Sequence, residues 1–365
     1  MTTGAGAELA PGRAQIVGLG LIGSSLALAL RDVGFHVSGR DIDAGREQRA
    51  LELAVVDEVG EDPAATLVIV ATPVAAIAAV ARAVLAARPD DADLVVTDVG
   101  GVKGPLVAAI DDPRFVGGHP MAGSEQEGPD GADRFMFAGA TWVLTPSKAT
   151  SDDALTRVRV IAVALGADVV ELAPERHDAL VAIVSHLPHL TAATLMSLAS
   201  DASEEHAVLL RLAAGGFRDM TRIAAGDPVI WPDIFRDNAD AVLVALDDLR
   251  ARLDEARRIL VEEDRGALVD LLERARLARR NLPARLPRPE NVVECRIPVP
   301  DRPGVLAEVT SLLGEIGANI ADLEIAHSAE GERGVLVLMI DLEHAAQARD
   351  ALIGRGYRPA VSRLG

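Results

Sequence analysis

The stretch QIVGLGLIGSSLALALRDVGFHVSGRDID, Gln15 to Asp43, decides how the first part of this chain is read. An apolar run leads into glycines at Gly18, Gly20 and Gly23, a helical run opens at Leu21 and Ile22, and a second strand-like run ends at Arg40 and Asp41. Between a strand and a helix the three glycines allow, in turn, a tight bend, close approach of backbone to a pyrophosphate, and packing of helix against strand. The helix N-terminus then turns unsatisfied N–H groups toward the phosphates. Asp41, 18 residues past Gly23, can accept hydrogen bonds from the adenosine ribose hydroxyls. The pattern implies a dinucleotide. NAD is favoured over NADP because Asp41 repels a 2′-phosphate, although the adjacent Arg40 would attract one. Thr72-Pro73 ends a later strand at the same edge, where it either borders the nicotinamide ribose or simply closes the strand.

Outside this stretch, 365 residues exceed what one hydrophobic core organises, so two or three domains are expected. Hydrophobic residues make up 49%, but Phe, Trp and Tyr number only 6, 2 and 1, so the cores must be aliphatic. A net charge of −19 repels nucleic-acid phosphates and anionic lipid head groups, which argues against either as partner. An anionic substrate would need a local cluster of Lys or Arg. The lone Cys295 excludes an intramolecular disulfide and suits a reducing cytoplasm. The first twelve residues lack a basic and an apolar region and read as a loose tail, not a signal peptide. Ala64 to Ala87 is interrupted by Thr72-Pro73 and Arg82 and reads as strand, turn and helix, not a membrane span.

Three domains follow from the order of patterns. Over 13–173, short apolar strands alternate with helices, the signature of a mostly parallel sheet covered on both faces, here a Rossmann-type α/β nucleotide domain. Over 174–282 the chain reads as helices, with breaks at His186-Leu187-Pro188-His189, Gly215-Gly216 and Gly226-Asp227-Pro228. Leu246, Leu249, Leu253 and Leu260 make one apolar stripe, packed either across a dimer or within the subunit. This all-α domain would serve substrate binding and dimerisation. The proline-rich Asn281 to Glu290 reads as a linker. The order β-α-β-β-α-β over 291–365 is that of a ferredoxin-like α+β domain.

A nicotinamide dehydrogenation needs a base that takes the hydroxyl proton as the C–H bond breaks. In GGHPMAGSE, Gly117 to Glu125, His119 follows a strand at the expected edge, in a turn whose glycines would permit close substrate approach. His186 and His189 flank Pro188, but no Cys or carboxylate ligand pattern accompanies them, so no metal is expected. Arg222, at a Gly-rich helix break, suits either a planar clamp on a carboxylate or an ion pair with Asp219 or Asp227.

GLGLIGSSLA, TDVGGVKG, GGHPMAGSE, IVSHLPHL and GGFRDMTRIAAGDPVIWPDIF together resemble the prephenate dehydrogenase family, which includes arogenate dehydrogenases. The resemblance spans about Arg13 to Leu282, with five separated motifs in order. It implies that His119 accepts the proton of the C4 hydroxyl of prephenate while hydride passes to NAD and CO₂ leaves, giving 4-hydroxyphenylpyruvate for tyrosine biosynthesis. It further implies that Arg222 binds a substrate carboxylate, with Lys103 assisting it against the acidity of the chain. Ser124, His186 and His189 match pocket positions, and Glu125, Asp219 and Trp231 match residues that gate or border the pocket. One position departs: Gly101 stands where the family pattern D-x-G-S-x-K-G has a serine beside the catalytic histidine, which predicts reduced turnover.

The C-terminal module resembles the ACT family of amino-acid-sensing domains in DRPGVLAEVTSLLGEIGANI, with Gly304 at the strand-to-helix turn and Asn319 beyond it. It implies feedback by tyrosine or a related aromatic amino acid; dimerisation without a ligand is the alternative. Arogenate as substrate and a non-catalytic sensor of NAD and an amino acid are the rival readings. A 3-hydroxyacid dehydrogenase would not account for the five motifs.

Overall fold

The computed structural model describes residues 12–124, 126–205, 208–280, 292–300, 302–327 and 333–363. All but the last residue of the expected N-terminal tail, Glu125 and the whole of the expected linker lie outside these residues. The chain forms two compact units, one of Met1–Met196 with Ile223–Glu255 and one of Ser197–Arg222 with Ala256–Gly365.

The first unit is built on an eight-stranded sheet: β1 (Arg13–Val17), β2 (His36–Arg40), β3 (Glu58–Val59), β4 (Leu67–Val70), β5 (Val95–Asp98), β6 (Phe115–Pro120), β7 (Thr141–Thr145) and β8 (Asp168–Glu171), in the order β3-β2-β1-β4-β5-β6-β7-β8. Every neighbouring pair is parallel except β6 against β7. Central parallel strands must be apolar on both faces. All four residues of β4 and of β5 are buried accordingly. Two strands carry too little sequence signal to be foreseen: β3 has only two residues, and the edge strand β8 reads DVVE with charged ends and no buried position.

Helices α1 (Leu21–Asp32), α2 (Ala44–Glu52) and α5 (Asp152–Ala164) cover one face, where Leu26, Leu30, Ala50, Val158 and Ile161 join Ile16 and Ile69 in one core. Helices α3 (Val74–Ala87) and α4 (Gly104–Ala108) cover the other. There Ile77, Ala81 and Leu85, spaced by four, pack with Val70, Val96 and Phe115. Between β1 and β4 the strand order reverses direction, which is where open α/β sheets bind ligands, outside the carboxyl ends of the strands.

After β8, helix α6 (Pro174–Val181) runs through a π-helical turn, Ala182–His186, into α7 (Leu187–Glu205). His186 to His189 therefore runs from the end of that wide turn into a continuing helix and is not the break expected from its proline. Pro188 falls in the first turn of α7, directly after that π turn, where the ladder of helical hydrogen bonds is already shifted. Pro174–Ala202 is long and apolar enough to cross a membrane by length and composition, yet it carries His177, Asp178, His186 and His189 at buried positions. Helices α9 (Trp231–Asp237) and α10 (Ala239–Val261) follow, and Val242 and Ala245 pack on Ala182. On α10, Leu246 is 37% exposed, Leu253 60% and Leu260 63%, and Leu249 is half-buried, so most of the leucine stripe is uncovered among the described residues.

The second unit holds α8 (Gly215–Thr221), α11 (Arg265–Arg280) and a four-stranded antiparallel sheet. Its strands β9 (Val292–Pro300), β10 (Ile320–His327), β11 (Arg333–Asp341) and β12 (Ala360–Arg363) lie in the order β10-β11-β9-β12, with α12 (Val305–Glu315) and α13 (Ala345–Gly354) between them in sequence. This is the expected β-α-β-β-α-β module. Cys295, Ile297, Leu313, Leu338 and Leu352 form its core, and burial pushes the Cys295 thiol up to about 11. Gly304 holds φ at +86°, a left-handed turn that a side chain would strain.

Candidate active site

The glycine-rich turn is assembled by close backbone contact. Gly18 has φ +103°, and a Cβ there would lie 2.4 Å from the Ala71 carbonyl oxygen; one on Gly23 would lie 1.9 Å from the Gly18 carbonyl oxygen. In front of Gly20, by contrast, nothing lies within 4 Å of a Cβ position, which leaves its backbone open to an approaching phosphate. The Asp41 carboxylate accepts the Leu19 N–H at 2.7 Å, so the acidic group is held directly beside the turn. Arg40 forms an ion pair with Glu61. The Thr72 hydroxyl is buried with no hydrogen-bond partner among the described residues, and Pro73 precedes the first turn of α3. An open glycine backbone, an anchored carboxylate and an unsatisfied hydroxyl along one strand edge fit a dinucleotide.

His119 lies on β6 opposite Val143 of β7, so the strand continues past the point where a turn was expected. The glycines before it have another role than substrate approach. A Cβ at Gly118 would lie 2.6 Å from the Asp98 carbonyl oxygen, and one at Gly117 2.4 Å from the Thr145 hydroxyl. They let β6 sit tightly between its neighbours and fix the place of His119.

Beneath the imidazole is a buried polar network. The Lys103 ammonium is fully enclosed, paired with the Asp98 carboxylate and donating to the Gly118 carbonyl at 2.7 Å. Asp98 also accepts the N–H groups of Gly100 and Gly118 at 2.8 and 3.0 Å. Lys103 thus stands behind β6 with two of its three donors engaged, buried where a substrate clamp was expected to be exposed. Removing either charge would leave the other buried and uncompensated.

The inner ring nitrogen of His119, Nδ1, lies 2.8 Å from Nε2 of His177, and Nδ1 of His177 lies 2.8 Å from the Asp178 carboxylate. His177 and Asp178 are not among the residues that sequence motifs single out; their signal is a His-Asp pair opening a helix directly after a strand end, at the carboxyl edge. The outer side of His119 faces Gly101, whose Cβ position lies 3.8 Å from both Cε1 and Nε2. Burial, followed by the charges of Lys103, His177 and His186, holds the His119 imidazole well below its ordinary value. The ring is therefore neutral at physiological pH.

Asn238 ties the helical part to this centre: its side-chain amide donates to the Asp178 carbonyl at 3.0 Å and to His186 Nδ1 at 3.1 Å. Burial lowers His186 to about 4, with Asp178 opposing the shift. Trp231 stacks on His189 and meets His186 edge-on. Ser124 is exposed, accepting the Gln126 N–H at 3.3 Å. His119, His186, His189 and Trp231 therefore share the first unit. Asp219 and Arg222, on α8 and the turn after it, are exposed residues of the second unit.

A nucleotide edge bearing a buried imidazole base, continued by a helical segment rich in histidine, is matched by known proteins over the same ranges. Residues 26–171 match the prephenate dehydrogenase nucleotide-binding domain, 173–274 the prephenate dehydrogenase dimerization domain, and 293–353 the ACT domain. The prephenate dehydrogenase of Bacillus subtilis is 35% identical over 338 residues, covering 88% of this chain and 90% of that protein. The crystal structure of prephenate dehydrogenase from A. aeolicus in complex with hydroxyphenyl propionate and NAD+ aligns with a TM-score of 0.70 at 33% identity, covering 74% of this chain and 98% of that one. Synechocystis arogenate dehydrogenase aligns with a TM-score of 0.64 at 32% identity, covering 73% and 98%. With its base, its nucleotide edge and its three matched domains in this order, the chain belongs to the prephenate dehydrogenase family and carries a C-terminal ACT domain.

Proposed function

We propose that this protein is an NAD-dependent prephenate dehydrogenase that converts prephenate to 4-hydroxyphenylpyruvate and CO₂ in tyrosine biosynthesis. The observation that carries the reading is His119: a neutral imidazole at the carboxyl edge of the nucleotide sheet, its outer nitrogen facing the open side at Gly101.

Gly18, Gly20 and Gly23 would hold the pyrophosphate of NAD, Asp41 its ribose hydroxyls, and Thr72 with Pro73 the nicotinamide ribose; Leu21 and Ile22 open the helix whose N-terminus faces the phosphates. Bound NAD⁺ supplies the hydride acceptor. His119 takes the C4 hydroxyl proton through Nε2 as the C–H bond breaks. The electron pair released with CO₂ aromatises the ring and ends on the C4 oxygen, which regains the proton from His119. His186, His189 and Trp231 form the wall of the pocket. By the family resemblance, Arg222 would bind a substrate carboxylate, and Ser124, Glu125 and Asp219 would contact or border the substrate.

The exposed leucines of α10 support a homodimer covered along that helix. The ACT domain supports regulation by an aromatic amino acid bound at Gly304 and Asn319, and the buried lone cysteine suits the cytoplasm. The test is NADH formation by the purified protein with prephenate or arogenate, NAD⁺ or NADP⁺, with and without tyrosine. Turnover of prephenate with NAD⁺, slowed by tyrosine, is expected. Turnover of arogenate alone would assign the amino-acid substrate, and an unchanged rate with tyrosine, phenylalanine and tryptophan would remove the regulatory reading.

A further inference from the structure

We propose that His177, backed by Asp178, is a positioning residue that sets the tautomer of His119 and so does from behind what Gly101 cannot do from in front. The inference rests on the reading of His119 as the base. The Asp178 carboxylate accepts the backbone N–H groups of Lys103 and Gly104 at 2.8 and 2.7 Å. Burial pushes its carboxyl up, but the hydrogen bond from His177 and those from the two backbone groups outweigh this and hold it below the usual carboxylate range. An ionised carboxylate only accepts. The ring nitrogen facing it, Nδ1 of His177, must therefore carry the proton, and in the neutral ring Nε2 is then a lone pair.

That lone pair points at Nδ1 of His119 across 2.8 Å. It holds the His119 proton on Nδ1 and leaves Nε2, the nitrogen facing Gly101, free to accept. His177 is fully buried, so no water competes for this bond. The same line of bonds places the Asp178 charge behind His119 when the imidazole takes up the substrate proton, favouring the imidazolium without a second proton transfer. At residue 101 a serine hydroxyl would contact the outer nitrogen; glycine offers none, so among the described residues the orienting hydrogen bond comes from the inner side.

The test is ¹⁵N NMR of histidine-labelled, ligand-free protein above neutral pH, with the His119 signals assigned by their loss in His119→Asn. The expected spectrum has His119 protonated at Nδ1 and bare at Nε2. In His177→Leu the His119 signals should move toward a mixture of tautomers. kcat should fall about 100-fold, the size of a general-base contribution, with KM for prephenate changed less than about threefold. His177→Gln, whose carbonyl oxygen can accept from His119 while its amide donates to Asp178, should retain the tautomer and recover most of kcat. A wild-type His119 protonated at Nε2 overturns the proposal without any variant. So does a Leu variant with wild-type tautomer and kcat, or Leu and Gln variants equally slow with the tautomer unchanged. Because the tautomer is read on the free protein, a lack of prephenate turnover would refute the function while leaving this result standing.

Discussion

Trp231 and His189 lie face to face, ring centroids 3.6 Å apart and planes 15° from parallel. Trp231 opens α9 while His189 sits in the first turns of α7, so this stack joins the two helices beside His186. Trp231→Ala should raise KM for prephenate about 10-fold, with a smaller effect on kcat. It should also lower stability by about 1–3 kcal/mol through the lost aromatic contact, whereas Trp231→Phe keeps most of both. Steady-state kinetics and urea unfolding check this. An unchanged KM in the Ala variant would remove Trp231 from the pocket wall.

Residue 101 has room for a side chain, since a Cβ there meets only His119, at ordinary van der Waals distance. Gly101→Ser should fold normally and raise kcat/KM about fivefold, equivalent to one modest hydrogen bond of about 1 kcal/mol. No gain would show that the missing hydroxyl does not limit this enzyme.

The depressed His186 gives a signed pH dependence. Its value of about 4 in the folded state lies below the 6.5 of an unhindered imidazole, so between these limits the unfolded chain binds a proton that the folded one does not. This contribution to stability is complete above pH 6.5, falls as the pH drops toward 4, and amounts to about 3 kcal/mol at most. Urea midpoints measured from pH 7 to pH 4 should decline in wild type. The decline should be shallower in His186→Asn, and equal slopes would contradict the assignment.

Cofactor choice turns on two neighbouring side chains. Asp41 is tied to the Leu19 N–H, and Arg40 is occupied by Glu61, so neither attracts a 2′-phosphate. Wild type should favour NAD⁺ over NADP⁺ in kcat/KM by about 100-fold, matching about 3 kcal/mol of charge repulsion. Asp41→Ser with Glu61→Gln should narrow that ratio at least 10-fold by freeing Arg40. An unaltered ratio would place the selectivity elsewhere.

The uncovered leucines of α10 predict the assembly. Placing carboxylates on that stripe with Leu253→Glu and Leu260→Glu should shift the mass measured by light scattering from dimer to monomer. Burying charges against apolar partners costs several kcal/mol. A dimer that persists would move the interface to another face.

Much of the site is legible in the sequence because its signals are local. The spacing of Gly18, Gly20 and Gly23, the strand before them and Asp41 after the next strand all arise within one βαβ unit, where the backbone leaves few choices. His119 and Trp231 stand out by motif, and Gly101 by departure from one. His177 does not, since a histidine on a helix is unremarkable until its neighbour in space is known. Lys103 suggests an exposed clamp in so acidic a chain, and only the fold reveals that it is buried with Asp98 and Gly118 taking two of its donors.

The amino-acid order by itself determined the succession of modules, the nucleotide turn and the candidate base, because hydrophobic period, glycine spacing and short motifs act over a few residues. Tertiary structure alone decided what surrounds that base. Packing brings His177 to His119 across 58 residues of sequence, turns β7 against β6, and carries the helix through His186 as a π turn. A side chain's proton, its tautomer and its burial depend on partners that only the folded chain assembles, and so the direction in which His119 can act is a property of the fold.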